Sequence, residues 1–264
     1  MRFGVCAGVE AAPWLADTGY DYIELSAAGD LIPDEEEEAW KQKRWAIEKM
    51  PLRAEAFNSF VRAGKIVGPE ADAERLWRYV HRALSRAEEV GGAVIVFGSG
   101  GARNIPEGFP RETARRQLMD FLRFCADASD RTGVVVAIEP LHRAETNFIH
   151  KVREGAEIAR ILDREGVRCL ADTYHMEQED EPLSAIVASA DVLAHVHTAD
   201  TGRLAPGSGA YNHVAFFCTL RDADYDHRVS IECNWQDRFA EQIGPALAHL
   251  KAAHAAAQTQ EVSG

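Results

Sequence analysis

The sequence predicts a single (β/α)8 TIM barrel. Three observations carry that expectation: eight short apolar segments end in polar or small residues, helix-period segments lie between most of them, and the whole pattern fits within 264 residues, an ordinary size for one such barrel. A doubly wound sheet is the main competitor. It usually has about five to seven strands and often a glycine-rich turn after the first. Here the first turn reads CAGVEAAP, which lacks GxGxxG, and no Walker loop occurs.

In chain order the strand candidates are RFGVCAG, DYIELS, LRAEAFN, AVIVFGS, VVVAIEP, RCLADTYH, LAHVHTAD and VSIECNW. Apolar residues recurring at three and four predict helices over 72–91, 112–133 and 151–166, each followed by a glycine that suits a helix end. The run DEEEEAWKQKRWAIEK places acids before bases, as a helix dipole and (i, i+4) pairs favour, so Glu35 to Glu38 read as a solvated helix start. A last helix, FAEQIGPALAHLKAAHAAA, is expected to be kinked or interrupted at Pro245. With no linker or break in composition, residues 1–258 form one catalytic domain and 259–264 a flexible tail.

Composition narrows the function. Hydrophobic residues at 46% and charged residues at 27% fit a soluble globular chain. No apolar run approaches the roughly 18 residues of a membrane helix, and MRFGVCAGVE does not read as a secretory leader. Five cysteines without a CxxC pair suggest reduced thiols in the cytoplasm. A net charge of -13 disfavours nucleic acid or an anionic membrane as partner, because both need a basic surface.

Barrel chemistry sits at the C-terminal ends of the strands. Strand five ends in Glu139, strand six in Asp172 with His175 three residues on, strand seven in His197 and strand eight in Glu232. Each has an ordinary structural explanation. Asp172 before Thr173 could cap a helix, and a histidine in an apolar strand is often a satisfied core residue. A charge inside VVVAIEP is harder to explain, since burying it costs several kcal/mol unless something compensates. One divalent cation compensates all four side chains at once. Three carboxylates and an imidazole suit Mn2+, Mg2+ or Co2+ better than a thiolate-rich zinc site. His195 and His197, two apart in a strand, point to the same side, which leaves open which of them is a ligand.

Four stretches then resemble a known group. IEPLHRAET (138 to 146) is similar to a Glu-Pro-Leu-Asn-Arg-x-Glu stretch, ADTYHM (171 to 176) to Leu-Asp-Thr-Phe-His-Met, and HVHTADTGRLAPGSG (195 to 209) to a His-x-His segment followed by Asn-Arg-x-x-Pro-Gly; Glu232 ends strand eight. The chain resembles the sugar isomerases and epimerases of the xylose isomerase-like barrels, the ketose 3-epimerases in particular. That resemblance implies a metal held by Glu139, Asp172, His197 and Glu232, with Mn2+ first and Mg2+ or Co2+ as the other candidates. It implies that Glu139 and Glu232 are also the acid/base pair, epimerising a ketose at carbon 3 through a cis-enediolate. Glu145, His175 and Arg203 would contact the sugar, and the assembly would be a homodimer or homotetramer. His197, six residues before Arg203 as in the group, is the expected ligand, and His195 a buried neighbour one layer lower.

The loops after strands one, two and four and the residues after Glu232 differ from those epimerases, and these segments shape the pocket. A lyase or dehydratase acting on 3-keto sugars, 3-keto glycosides or keto-inositols is therefore the alternative. A phosphodiesterase of the endonuclease IV type would need more histidines and a basic surface. A non-catalytic sugar-binding barrel would leave four ligands without a purpose. GSGGARNIPEG (98 to 108), with Arg103, reads either as a phosphate cradle or as an ordinary loop, and APGSG could also take phosphate. Glu24 is expected beside the site or on its rim. Trp14, Phe57, Phe97, Phe109 and Trp235 are candidates for sugar stacking, although core packing is the commoner fate of such residues.

Overall fold

The computed structural model describes residues 1–259. Eight strands close a barrel in sequence order, and every neighbouring pair is parallel. They are β1 (Arg2–Cys6), β2 (Tyr22–Ser26), β3 (Ala54–Asn58), β4 (Val94–Phe97), β5 (Val135–Ile138), β6 (Val167–Asp172), β7 (Leu193–Thr198) and β8 (Arg228–Ile231). The α-helices are α1 (Ala12–Thr18), α2 (Glu37–Glu48), α3 (Ala73–Glu89), α4 (Gly100–Arg103), α5 (Arg111–Thr132), α6 (Val152–Leu162), α7 (Thr173–Gln178), α8 (Ser184–Val187), α9 (His213–Asp222) and α10 (Phe239–Thr259). All eight strand candidates are strands. Parallel strands are buried on both faces, so they show as short continuous apolar runs.

The two-residue period of a strand divides these runs between two cores. Val5, Ile23, Phe57, Ile95, Val136, Cys169, Val196 and Val229 pack outward against the helices. Tyr22, Ala56, Val94, Val96, Ala137 and Leu170 fill the barrel interior. Two residues beyond Tyr22, Ala56, Val96, Ala137 and Leu170 come Glu24, Asn58, Gly98, Glu139 and Asp172. The period that plugs the barrel with apolar side chains thus delivers the next inward layer as polar groups at the C-terminal rim. An irregularity between β6 and β7 serves the same end. Cys169 pairs with Leu193 but Leu170 with His195, so β7 carries one extra residue, and His197 comes to lie beside Asp172.

Several helix ends differ from expectation. The helix expected over 151–166 stops at Leu162, where Asp163 takes the left-handed conformation that ends it (φ 52°). Gly166 instead permits a close approach of the chain to α5, because a Cβ there would overlap the side chain of Ser129. Pro245 neither ends nor divides α10, which runs unbroken with Pro245 on its exposed side. Thr259 belongs to that helix, and the rest of the expected tail, 260–264, lies outside the described residues. The acidic run opens α2 as expected, exposed, with Glu38–Lys41 and Arg44–Glu48 pairs at 3.1 and 2.8 Å. Among the described residues no helix is long and apolar enough to cross a membrane, and none of the five cysteines forms a disulfide.

One half-buried pair predicts a pH dependence of stability. His213, at the start of α9, meets His249 of α10 through Nδ1 and Nε2 at 3.1 Å. Burial, then the neighbouring His249, pushes its pKa down to about 4. An unfolded histidine takes a proton below about pH 6.5. Between those values the unfolded chain binds more protons, so stability is lost as pH falls from 6.5 towards 4. We expect this group alone to remove roughly 2–3 kcal/mol. Urea unfolding at pH 7.5 and 4.5 should show a smaller loss in His213→Gln than in the parent; equal losses would refute the assignment.

Candidate active site

At the rim, ligand atoms of Glu139, Asp172, His197 and Glu232 all lie within 4.8 Å of one another. His197 Nδ1 is 3.0 Å from Glu139 Oε1 and 3.4 Å from Glu232 Oε2. Asp172 does both things considered for it. Its Oδ1 accepts the Tyr174 amide at 2.7 Å and caps α7, while its buried Oδ2 has no hydrogen-bond partner among the described residues. Glu139 can enter because Gly98 faces it, where a Cβ would overlap Glu139 Oε2.

The charges at this site are out of balance. Burial, followed by Glu232 and Glu139, pushes Asp172 up to about 8. Burial and Glu232 likewise raise Glu139. Burial opposes the charge on Glu232 too, but His197 and Arg203 hold it at about 2. The carboxylates titrate together, since each responds to the charge of the next. Ligand atoms around a cation at about 2.1 Å sit roughly 3–4.3 Å apart, close to the spread seen here. The unpartnered Asp172 Oδ2 and the oxygen-rich donor set fit a divalent cation of the harder kind.

Gly98→Ala tests the space that Glu139 occupies. We expect a roughly 10- to 100-fold weaker affinity for a divalent cation, read by calorimetric titration, with little change in melting temperature. Unchanged affinity would show that Glu139 does not need that space.

The other expected residues border a cleft of ≈ 360 Å³ above this group. Arg203 donates from Nη2 to Glu232 Oε2 at 2.8 Å and from Nη1 to Glu145 Oε1 at 3.2 Å, and its guanidinium lies 4.9 Å from the Tyr174 ring centroid. Arg203 has a left-handed backbone (φ 62°), and its carbonyl accepts the Asn234 amide at 2.7 Å. His175 is buried. Its Nδ1 faces the His142 amide at 3.3 Å and the His142 ring Nδ1 at 2.9 Å. Its Nε2, 3.7 Å from Asp172 Oδ2, has no hydrogen-bond partner among the described residues. Burial and Arg203 push its pKa down to about 3, so the ring is neutral. Opposite this wall the cleft meets Asn58, Arg62 and the segment from Gly98 to Ala102.

Two phosphate readings fail on the geometry. Arg103 is buried, its Nη1 donating to the Phe97 carbonyl at 3.1 Å and Nη2 to the Ile149 carbonyl at 3.3 Å, so it braces the barrel wall. In the loop containing APGSG, Asp200 takes the amides of Thr201 and Tyr211 through Oδ1, both at 2.9 Å, and that of Gly207 through Oδ2 at 2.7 Å. A carboxylate of the chain already occupies the position an anion would take. Phe57 and Phe97 are core residues.

Two contributors escaped the sequence reading. Asp200 shapes the loop that presents Arg203, and His142 contacts His175. Glu24, expected beside the site or on its rim, lies beside it, fully buried behind His197 and accepting His197 Nε2–H at 2.9 Å and His195 Nε2–H at 2.8 Å. Burial works against its charge, yet His197 and His195 hold its carboxyl well below the usual range. The signal that marked it was a glutamate inside the apolar run DYIEL, the same signal that marked Glu139. His195 is fully buried, one inward position below His197, as expected.

A family described as "Xylose isomerase-like TIM barrel" matches residues 12–253. A 3-dehydro-D-guloside 4-epimerase of Escherichia coli is 34% identical over 162 residues, covering 59% of this chain and 62% of that protein. A D-psicose 3-epimerase of Ruminiclostridium cellulolyticum is 29% identical over 115 residues, covering 43% and 39%. The crystal structure of a 3-keto-D-glucoside 4-epimerase from E. coli superposes with a TM-score of 0.79 at 25% identity, over 96% of this chain and 99% of that one.

Proposed function

Because the chain belongs to the xylose isomerase-like TIM-barrel family, we propose that it is a divalent-metal-dependent sugar epimerase, inverting a carbon next to a ketone. The observation that carries this is a pair of glutamates, Glu139 after β5 and Glu232 after β8, that face one cleft with unlike environments. Burial opposes the charge on both, but His197 and Arg203 favour the ionised form of Glu232, while burial and the charge of Glu232 raise Glu139. Two carboxyl groups whose proton affinities are driven apart suit a base and an acid.

In this reading the Glu232 carboxylate takes the proton from the carbon beside the carbonyl and leaves an enediolate. Protonated Glu139 returns a proton to the opposite face, so the carbon is inverted and the two carboxyls have exchanged states. Arg203 and the neutral His175, through Nε2–H, hydrogen-bond the substrate's oxygens, and Glu145 holds Arg203 in place. Glu139, Asp172, His197 and Glu232 would hold the cation, Mn2+ foremost with Mg2+ or Co2+ as alternatives, and when bound it supplies Lewis-acid stabilisation of the enediolate oxygens.

Two substrates fit this chemistry. A free ketose inverted at carbon 3 is the first reading, supported by the motifs around the four ligands and by the D-psicose 3-epimerase relative. A 3-keto glycoside inverted at carbon 4 is the second. It is favoured by the 34% identity to the guloside epimerase and by a cleft that continues past the glutamates to Asn58 and Arg62. The partner is a small sugar in either case.

Incubating the Mn2+-loaded protein in D2O with free ketoses and with 3-keto glycosides, followed by NMR, separates these readings. Deuterium at carbon 3 with a new ketose epimer supports the first, and deuterium at carbon 4 of the glycoside supports the second. Loss of the glycosidic leaving group would replace epimerisation by elimination. No exchange in any substrate would sink the proposal.

A further inference from the structure

We propose that Glu24 is a positioning residue: by accepting the Nε2–H of His197 it turns the lone pair of Nδ1 toward the cation site. The inference rests on the metal-site reading above and adds a residue that the four-ligand set does not contain. Glu24 reaches from β2 across the barrel interior, where its side chain and those of His195 and His197 have no exposed surface.

The carboxylate partners limit which nitrogen is free to give a lone pair. Glu24 Oε1 faces His197 Nε2 at 2.9 Å. Glu24 Oε2 faces His195 Nε2 at 2.8 Å and the Ser230 hydroxyl at 2.5 Å. An ionised carboxylate only accepts, so both Nε2 atoms and the serine hydroxyl donate. Ser230 Oγ in turn accepts from the Tyr22 hydroxyl at 2.7 Å. Once Nε2 of His197 is held as a donor to Glu24, only Nδ1 is left to give a lone pair to a cation. That is the nitrogen 3.0 Å from Glu139 Oε1 and 3.4 Å from Glu232 Oε2, on the side of the proposed cation. A metal-binding histidine whose second nitrogen is held by a carboxylate has both ring orientation and tautomer set, and losing that support typically weakens metal binding 10- to 100-fold.

His195 gives the arrangement its register. It shares Glu24 Oε2 with Ser230 and lies 3.2 Å from Ser230 Oγ. Two side chains, His195 of β7 and Ser230 of β8, therefore hold a carboxylate from β2 in one rotamer through Oε2, and its other oxygen is left for His197. A role confined to stability would need the same hydrogen bonds but would not specify which nitrogen faces the site.

Two measurements on the full chain decide the matter. Long-range 1H–15N spectra of the Mg2+-loaded parent should show His197 protonated at Nε2 with Nδ1 as the ligand. In Glu24→Gln, which keeps the shape but can accept from only one histidine, the Mn2+ dissociation constant measured by calorimetry should rise about 10- to 100-fold while circular dichroism shows a folded protein. Ligation through Nε2, or a Glu24→Gln affinity within about twofold of the parent even with a lowered melting temperature, overturns the proposal. If Glu24→Gln does not fold, the spectrum of the parent decides alone. A parent that binds no Mn2+ sinks the metal reading and this inference with it, whereas equal binding by parent and variant sinks this inference only.

Discussion

Replacing Glu232 with glutamine is expected to lower turnover by roughly 10²- to 10⁴-fold, the usual contribution of a positioned acid or base, while leaving most of the divalent-cation affinity in place. Glutamine keeps an oxygen at the ligand position but cannot take a proton. The 2.8 Å bond from Arg203 can persist to that oxygen, so the wall of the cleft should keep its shape. The isotope pattern is more discriminating than the rate. With one glutamate on each face of the reacting carbon, Glu232→Gln should still exchange the proton of one epimer with D2O through Glu139, without completing the inversion. Glu139→Gln should exchange only the other epimer. Turnover within about tenfold of the parent, or loss of exchange from both epimers with metal still bound, would show that Glu232 is not one of two opposed bases.

Replacing His197 with alanine is expected to weaken cation binding by more than about 100-fold, beyond what losing a supporting residue costs. His195→Ala should leave it within about tenfold. The residues are two apart on β7 and both contact Glu24, yet only His197 presents a second nitrogen to Glu139 and Glu232. The cost of His195→Ala should appear as stability. Glu24 loses one donor and a cavity opens in a fully buried layer, for a total of about 1–3 kcal/mol. Calorimetric titration and urea unfolding of both variants read the two effects separately. A His195→Ala protein that loses the cation as completely as His197→Ala would contradict the assignment.

The eight strands were legible because each is a short apolar run closed by a polar or small residue, and the helices 73–89 and 111–132 because their apolar positions recur with the helical period. Glu139, Asp172, His197 and Glu232 could be grouped from the sequence alone, since strand ends of a barrel share one rim. The end of α6 was less legible. Gly166 looks like a helix stop, but a glycine is also required wherever two backbones come close, and only the packing against Ser129 separates the two. Arg103 and Gly207 were ambiguous for a similar reason. A basic residue and a glycine-rich loop describe a phosphate cradle equally well until Arg103 is found bonded to carbonyls and Asp200 is found on the loop's amides.

What the sequence by itself determined is the barrel and the set of polar side chains at its rim, because strand periodicity and the placement of charge within apolar runs are local properties of the chain. Which side chains meet, and through which atoms, only the tertiary structure decided. The extra residue of β7 brings His197 beside Asp172, the left-handed backbone of Arg203 belongs to a loop clamped by Asp200, and Glu24 lies 173 residues from the histidine it orients. The first and last are long-range contacts fixed by barrel closure, the Asp200 clamp is a set of loop contacts, and no period of the sequence encodes any of them.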